Sequence, residues 1–178
     1  ASVKNKEINY DIIKKLVMSC RMPLTYGGGI KNFEQIKKIF SLGVEKVILS
    51  SVIYENMDLI NQVSRWYGSQ SISVCLDLDL SKNDFKLFTK NATKEHSEKE
   101  FYSLVDQIQS RGAGELIINS IDRDGTMMGY NLEKIEIFFH SLKIPLTLLG
   151  GAGKIEHFIE VLKRIPISGL AAGSFFIY

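Results

Sequence analysis

The sequence predicts an α/β fold: a (β/α)8 TIM barrel present in part, with about six strands and without the first two strands and the last helix. Three observations predict it. Apolar strand-like runs alternate with amphipathic helical runs over short links, a pattern that gives a parallel sheet with helical crossovers. A strand–turn–helix–strand unit occurs twice, at 23–56 and 145–178. Each copy carries a glycine turn where strand passes into helix, the edge of a parallel barrel on which ligand-binding groups collect. An open doubly wound sheet would satisfy the alternation too, but the duplicated unit with glycine turns at its strand ends favours the barrel. A complete barrel typically has ~250 residues and eight strands. This chain has 178 residues and reads as a single partial barrel domain.

The duplication is gapless. PLTYGGGIKNFEQI overlies PLTLLGGAGKIEHF, so Pro23 falls on Pro145, Thr25 on Thr147, Gly28 on Gly150, Gly29 on Gly151 and Glu34 on Glu156. Further on, VEKVILSSV meets ISGLAAGS. Glycine has no Cβ, so backbone can approach a ligand closely there, and the following helix offers free N–H groups to an anion. Ordinary strand-to-helix turns would explain one such GG pair. Two copies in register suggest two phosphate-sized anion sites.

The elements follow in order. Residues 7–20 place Ile8, Ile12, Leu16 and Cys20 four apart, one side of a helix. The strand PLTY at 23–26 leads into GGG. Asn32 is placed to cap the next helix, whose Phe33, Ile36, Ile39 and Phe40 share a face, and Gly43 ends it. A strand at 45–50, a helix near 56–66 and the strand SISVCLDLDL at 71–80 come next. NDFKLFTKNATKEH then reads as a polar excursion of hairpin type. A helix at 98–111, the strand ELIINS, the loop IDRDGTMMGY, a helix at 131–142 and the second copy complete the chain.

Bulk composition excludes several classes. With 22 basic and 20 acidic residues the formal charge is +2, too balanced to argue for nucleic acid or an acidic membrane surface. No stretch reads as a membrane span or a signal peptide. Cys20 and Cys75 sit in apolar runs and read as buried thiols, which suits a reducing cytoplasm. His96, His140 and His157 have no ligand spacing with one another or with the cysteines, so neither a metal site nor a cofactor is expected.

In a barrel the groups at strand C-terminal ends face the site. Four loops then matter: Gly27–Gly29, Asp77–Asp79, Asp122–Gly129 and Gly150–Gly153. Asp77 ends a strand among apolar neighbours that would desolvate it, which makes it a candidate general acid or base; a turn or helix-capping aspartate is the plainer alternative. Asp124-Gly125 makes a tight turn and Gly129 a second bend. Asp122, Arg123, Asp124 and Thr126 are dense for a plain surface loop.

PLTYGGGI, VEKVILSS, RGAGELIINSIDRDGTMMGY and GGAGKIEHF together resemble the cyclase subunit of imidazole glycerol phosphate synthase, a (β/α)8 barrel of histidine biosynthesis. The sister aminoaldose isomerase of that pathway shares the duplication and GGG but is less similar in GGAGKIEHF. The resemblance implies a bis-phosphorylated phosphoribulosyl-formimino aminoimidazole carboxamide ribonucleotide as substrate, held between the two copies. It maps phosphate contacts onto Gly29, Ser50 and Ser51 at one end, and onto Asp124, Gly125, Gly151, Ala172 and Gly173 at the other. It maps the catalytic aspartate of the fifth barrel strand onto Asp77, and places a partner aspartate on the first strand. Lys46 and Glu115 match two members of a charged ring through which ammonia enters from a docked glutaminase subunit. Ser50-Ser51 stands where many members have Asn-Thr, and Asp79 where many have a basic residue. NSIDRDGTMMGY also resembles a divergent branch acting in amidination of bacterial surface sugars. A non-catalytic phosphate-binding or subunit-interaction fragment is the alternative of another class.

Overall fold

The computed structural model describes residues 7–81, 84–89 and 94–177. Six parallel strands form its sheet: β1 (Thr25–Gly27), β2 (Lys46–Leu49), β3 (Ile72–Asp79), β6 (Glu115–Ser120), β7 (Leu146–Leu149) and β8 (Gly169–Ala171). Their order in space is their order in sequence, β1-β2-β3-β6-β7-β8. Helices α2 (Phe33–Ser41), α3 (Asp58–Tyr67), α4 (Glu98–Ser110), α5 (Leu132–Phe139) and α6 (Ile155–Arg164) make the crossovers, and α1 (Tyr10–Ser19) precedes β1. Unbroken winding in one direction is barrel topology; a doubly wound sheet would reverse its order. Among the described residues β1 pairs only with β2, and β8 only with β7. The molecule is therefore an incomplete (β/α)8 barrel.

The excursion between β3 and α4 is a hairpin, as its pattern suggests. β4 (Lys86–Thr89) pairs antiparallel with the end of β3, setting Asp77 opposite Phe88, and β5 (Lys94–His96) pairs with β4. Residues 82–83 and 90–93 of this excursion lie outside the described residues.

Strand periodicity splits the side chains into two layers. Val47, Leu49, Ile72, Val74, Leu76, Leu78, Leu116, Ile118, Leu146 and Leu148 are buried in one cluster with helix residues such as Ile36, Ile39, Leu59, Val63, Phe101, Ile135 and Val161. Phe85, Phe101 and Phe138 meet edge to face at 5.0–5.4 Å and pin the hairpin to α4 and α5. The alternate residues are mostly polar: Lys46 and Ser50; Ser73, Cys75, Asp77 and Asp79; Glu115 and Asn119; Thr147. A row of that composition survives inside a fold only when its members satisfy one another.

Helix α1 buries Ile13, whereas Ile12 and Leu16, which the four-residue spacing puts on one side, are more than half exposed. Four-residue spacing identifies a face but not what covers it; α1 lies beside the terminal strand β1, and Ile12 and Leu16 line an open groove of about 340 Å³ with Leu24, Thr25 and Gly27–Gly29. Cys20, just beyond that helix, is exposed and Cys75 half-buried, so only Cys75 approaches the buried thiol the apolar context suggests.

Candidate functional site

The C-terminal strand ends bring together the turns picked out in the sequence. Asp77 lies opposite Asn119 in the β3–β6 register, and the Asn119 Nδ2 donates to Asp77 Oδ1 at 2.9 Å. The other amide atom, Asn119 Oδ1, is buried without a partner among the described residues. Sequence reading missed Asn119, although its even spacing from Glu115 puts both on one side of β6. Burial and the nearby Asp77 charge push the Cys75 thiol up to about 12, and the same two causes raise Tyr54, which the Ser51–Tyr54 turn after β2 carries into the site. Tyr54 stacks on His96 of the hairpin, 6.5 Å between centroids and 4° from parallel. His96 in turn meets Glu100 at 3.0 Å, and that contact with the Ser97 capping bonds lowers Glu100 to about 2.

Gly29 has φ 73° and is exposed; Gly28, at φ 99°, has open space where a Cβ would stand. Ser50 opens the turn after β2 and accepts the Ile53 N–H, and Ser51 is exposed. Gly173 follows β8 and is exposed, with Ala172 half-buried beside it. Gly125 (φ 75°) and Asp124 are exposed at the tip of the loop after β6. Gly151, at φ 109°, is buried, and a Cβ there would collide with the Gly129 carbonyl oxygen. Its own carbonyl accepts the Gly129 N–H at 2.7 Å. A neighbouring loop thus requires glycine at 151 before any ligand does.

The remaining residues of the dense loop have structural partners. Asp122 Oδ1 accepts the Leu80 N–H at 3.0 Å, tying the loop to the end of β3. Thr126 Oγ1 donates to the Arg123 carbonyl at 2.7 Å, and Met127 is the described non-glycine residue held at positive φ, 57°. Asp79 Oδ1 accepts from the Ser81 hydroxyl and N–H.

At the opposite end of the strands, Lys46 Nζ donates to Glu115 Oε2 at 2.8 Å. Ser73 Oγ donates to the same oxygen and Thr147 Oγ1 to Oε1, each at 2.5 Å. Burial by itself would raise the Glu115 carboxyl, but Lys46, Ser73 and Thr147 together hold it below the usual range. The belt links β2, β3, β6 and β7. Neither hydroxyl stood out in the sequence as a partner of Glu115, since each lies on a different strand from it.

A winding parallel sheet with a polar inner row and glycine turns at its C-terminal edge defines a protein of the (β/α)-barrel class. The chain belongs to the histidine biosynthesis protein family, whose model matches residues 1–178. It is 45% identical over 180 residues to a Leptospira borgpetersenii protein provisionally named imidazole glycerol phosphate synthase subunit HisF, covering all of this chain and 70% of the relative. A Vibrio vulnificus protein provisionally named subunit hisF3 is 44% identical over 180 residues, again all of this chain and 69% of the relative. The imidazole glycerol phosphate synthase subunit HisF of Sulfolobus acidocaldarius is 36% identical over 175 residues, 98% of this chain and 70% of that protein. Among the described residues no helix is long and apolar enough to cross a membrane.

Proposed function

We propose that this chain carries the ammonia-dependent cyclase site of an imidazole glycerol phosphate synthase. The substrate is phosphoribulosyl-formimino aminoimidazole carboxamide ribonucleotide, with one phosphate at Gly29, Ser50 and Ser51 and the other at Asp124, Gly125, Gly151, Ala172 and Gly173. Ammonia adds to it, the ring closes and a C–N bond breaks, leaving imidazole glycerol phosphate and an aminoimidazole carboxamide ribotide. Asp77 moves protons in that sequence as general acid and base. The observation that carries the reading is its placement: a carboxylate oriented by Asn119 at a strand end, in a sheet with a glycine turn on either side. Lys46 and Glu115, at strand beginnings and far from these turns, admit ammonia from a glutaminase partner docked on that end.

The test is turnover with ammonium salt in a complete eight-stranded barrel containing residues 1–178. Asp77→Asn lowers turnover at least ~100-fold, the scale of a positioned acid or base, and changes substrate affinity little. Near-normal turnover removes Asp77 from the mechanism. A second reading, amidination of a surface sugar by the same ammonia route, draws support from Asp79. Its carboxylate, which accepts from Ser81, stands two residues beyond Asp77, where many members of the family carry a basic residue. Turnover of an ammonia-accepting sugar nucleotide, with none of the ribonucleotide, decides for it.

A further inference from the structure

The turns of the two copies are built differently, yet one hydrogen bond recurs at the same register. With Pro23 laid on Pro145, Lys31 falls on Gly153 and Gln35 on His157. In the first copy the Lys31 N–H donates to Gln35 Oε1 at 2.7 Å. In the second the Gly153 N–H donates to His157 Nδ1 at 3.2 Å. Different side chains thus reach back from the first turn of a helix to fix an amide four residues earlier, just behind the glycine turn. An amide of a helix entry without such an acceptor has to find water or another partner.

We propose that Gln35 and His157 are matched positioning residues, each holding the glycine turn of its own copy in the shape that presents backbone N–H groups to a phosphate. The inference rests on the reading that these turns take phosphate groups. His157 does more than its counterpart. Its ring lies against Gly129, where a Cβ would stand 3.3–3.4 Å from ring atoms. Because Gly129 is bonded to Gly151, the imidazole braces both loops of the second copy together. The Gly153 contact also requires Nδ1 to be an acceptor, which leaves the proton of the neutral ring on Nε2.

The experiment follows backbone amide resonances of the ¹⁵N-labelled chain while inorganic phosphate is added. Gly29 reports the first turn; Gly125 and Gly151 report the second. His157→Ala weakens the phosphate response at Gly125 and Gly151 by about five- to tenfold, the worth of one hydrogen bond, and leaves the response at Gly29 unchanged. Gln35→Ala does the reverse. His157→Gln, which installs the acceptor of the first copy, returns the second turn to within about twofold of wild type, inside the spread of one such bond. Amide exchange at Gly153 and Lys31 accelerates only in the variant lacking the matching acceptor. Equal weakening at both turns in either alanine variant, or no weakening, overturns the proposal. A wild-type chain with no phosphate response at either turn overturns the phosphate reading first and this role with it. A wild-type response that persists in the alanine variants overturns this role alone.

Discussion

The two copies of the repeat share a backbone plan and differ in what surrounds it. At 23–56 the glycine turn stands open: a Cβ at Gly28 would meet nothing within 4 Å. At 145–178 the turn is interlocked with the loop after β6. A Cβ at Gly150 would lie 2.6 Å from the Ser120 carbonyl oxygen, and one at Gly151 would strike the Gly129 carbonyl. The helix entries differ likewise. Asn32 caps α2 by accepting the Gln35 N–H at 3.0 Å, whereas Lys154 at the start of α6 makes no side-chain cap. The same sequence signature therefore serves conformational freedom in one copy and close packing in the other. Only the neighbours distinguish them.

Alanine in place of glycine gives the largest test of that contrast. Gly28→Ala costs about 1–2 kcal/mol, the penalty for a Cβ in left-handed backbone. Gly151→Ala meets that penalty and also displaces the Gly129 carbonyl, so it costs about 2–5 kcal/mol in sum. Urea unfolding of the two variants measures both. Equal losses would mean that the loop after β6 yields freely and that the interlocking is incidental.

A smaller effect separates Thr25 from Thr147, equivalent positions with different employment. Thr147 Oγ1 donates to Glu115 at 2.5 Å, while Thr25 lies exposed on the terminal strand. Thr147→Val should cost about 1 kcal/mol at neutral pH, below the ~1.5–3 kcal/mol of a buried hydrogen bond to a charged group because the site is partly open, and Thr25→Val close to nothing. The pH dependence has a definite sign. Glu115 is held below its unfolded value by Lys46, Ser73 and Thr147 against the opposing effect of burial. Its contribution is therefore present above the ordinary carboxylate range and is lost as pH falls through the lowered folded value. Thr147→Val brings the folded value back toward the unfolded one, so the variant loses less on acidification than the parent. Parallel stability curves for parent and variant from pH 7 downward would show that Glu115 does not depend on Thr147.

These contrasts mark how far the sequence could be read. Alternation of strand and helix, the hairpin strands at Lys86–Thr89 and Lys94–His96 and the two glycine turns rest on local pattern, and all appear in the fold. The polar belt does not rest on local pattern. Ser73 becomes a partner of Glu115 because β3 and β6 align those two residues directly, and Thr147 because it lies one strand further on. That alignment is a property of the assembled sheet. Asn119 was missed for the same reason: an asparagine in ELIINS has no meaning until Asp77 is placed beside it. In α1 the apolar stripe was legible, but what lies beside it was not. Gly151 was legible as a glycine that matters; that it matters to Gly129 was not.

The smallest expected effect concerns the helix entry. Lys154 and Asn32 have nearly the same backbone, φ −159°, ψ 162° and φ −154°, ψ 169°, so an asparagine at 154 needs no rearrangement to cap α6. Its Oδ1 would accept the N–H of residue 157, as Asn32 accepts that of Gln35. Lys154→Asn should accordingly stabilise the chain by about 0.5–1 kcal/mol, the usual worth of such a cap, with part of the gain coming from removing a cation beside the positive end of the helix. The reciprocal Asn32→Ala should lose about 1 kcal/mol. The two changes also bear on anion binding, because a cap and an anion compete for the same N–H groups. If phosphate at Gly125 and Gly151 draws on the α6 amides, Lys154→Asn becomes more stable while binding phosphate more weakly. If the loops alone hold the anion, stability rises and affinity stays where it was, which would make the helix of the second copy a support for its turn and not part of the site.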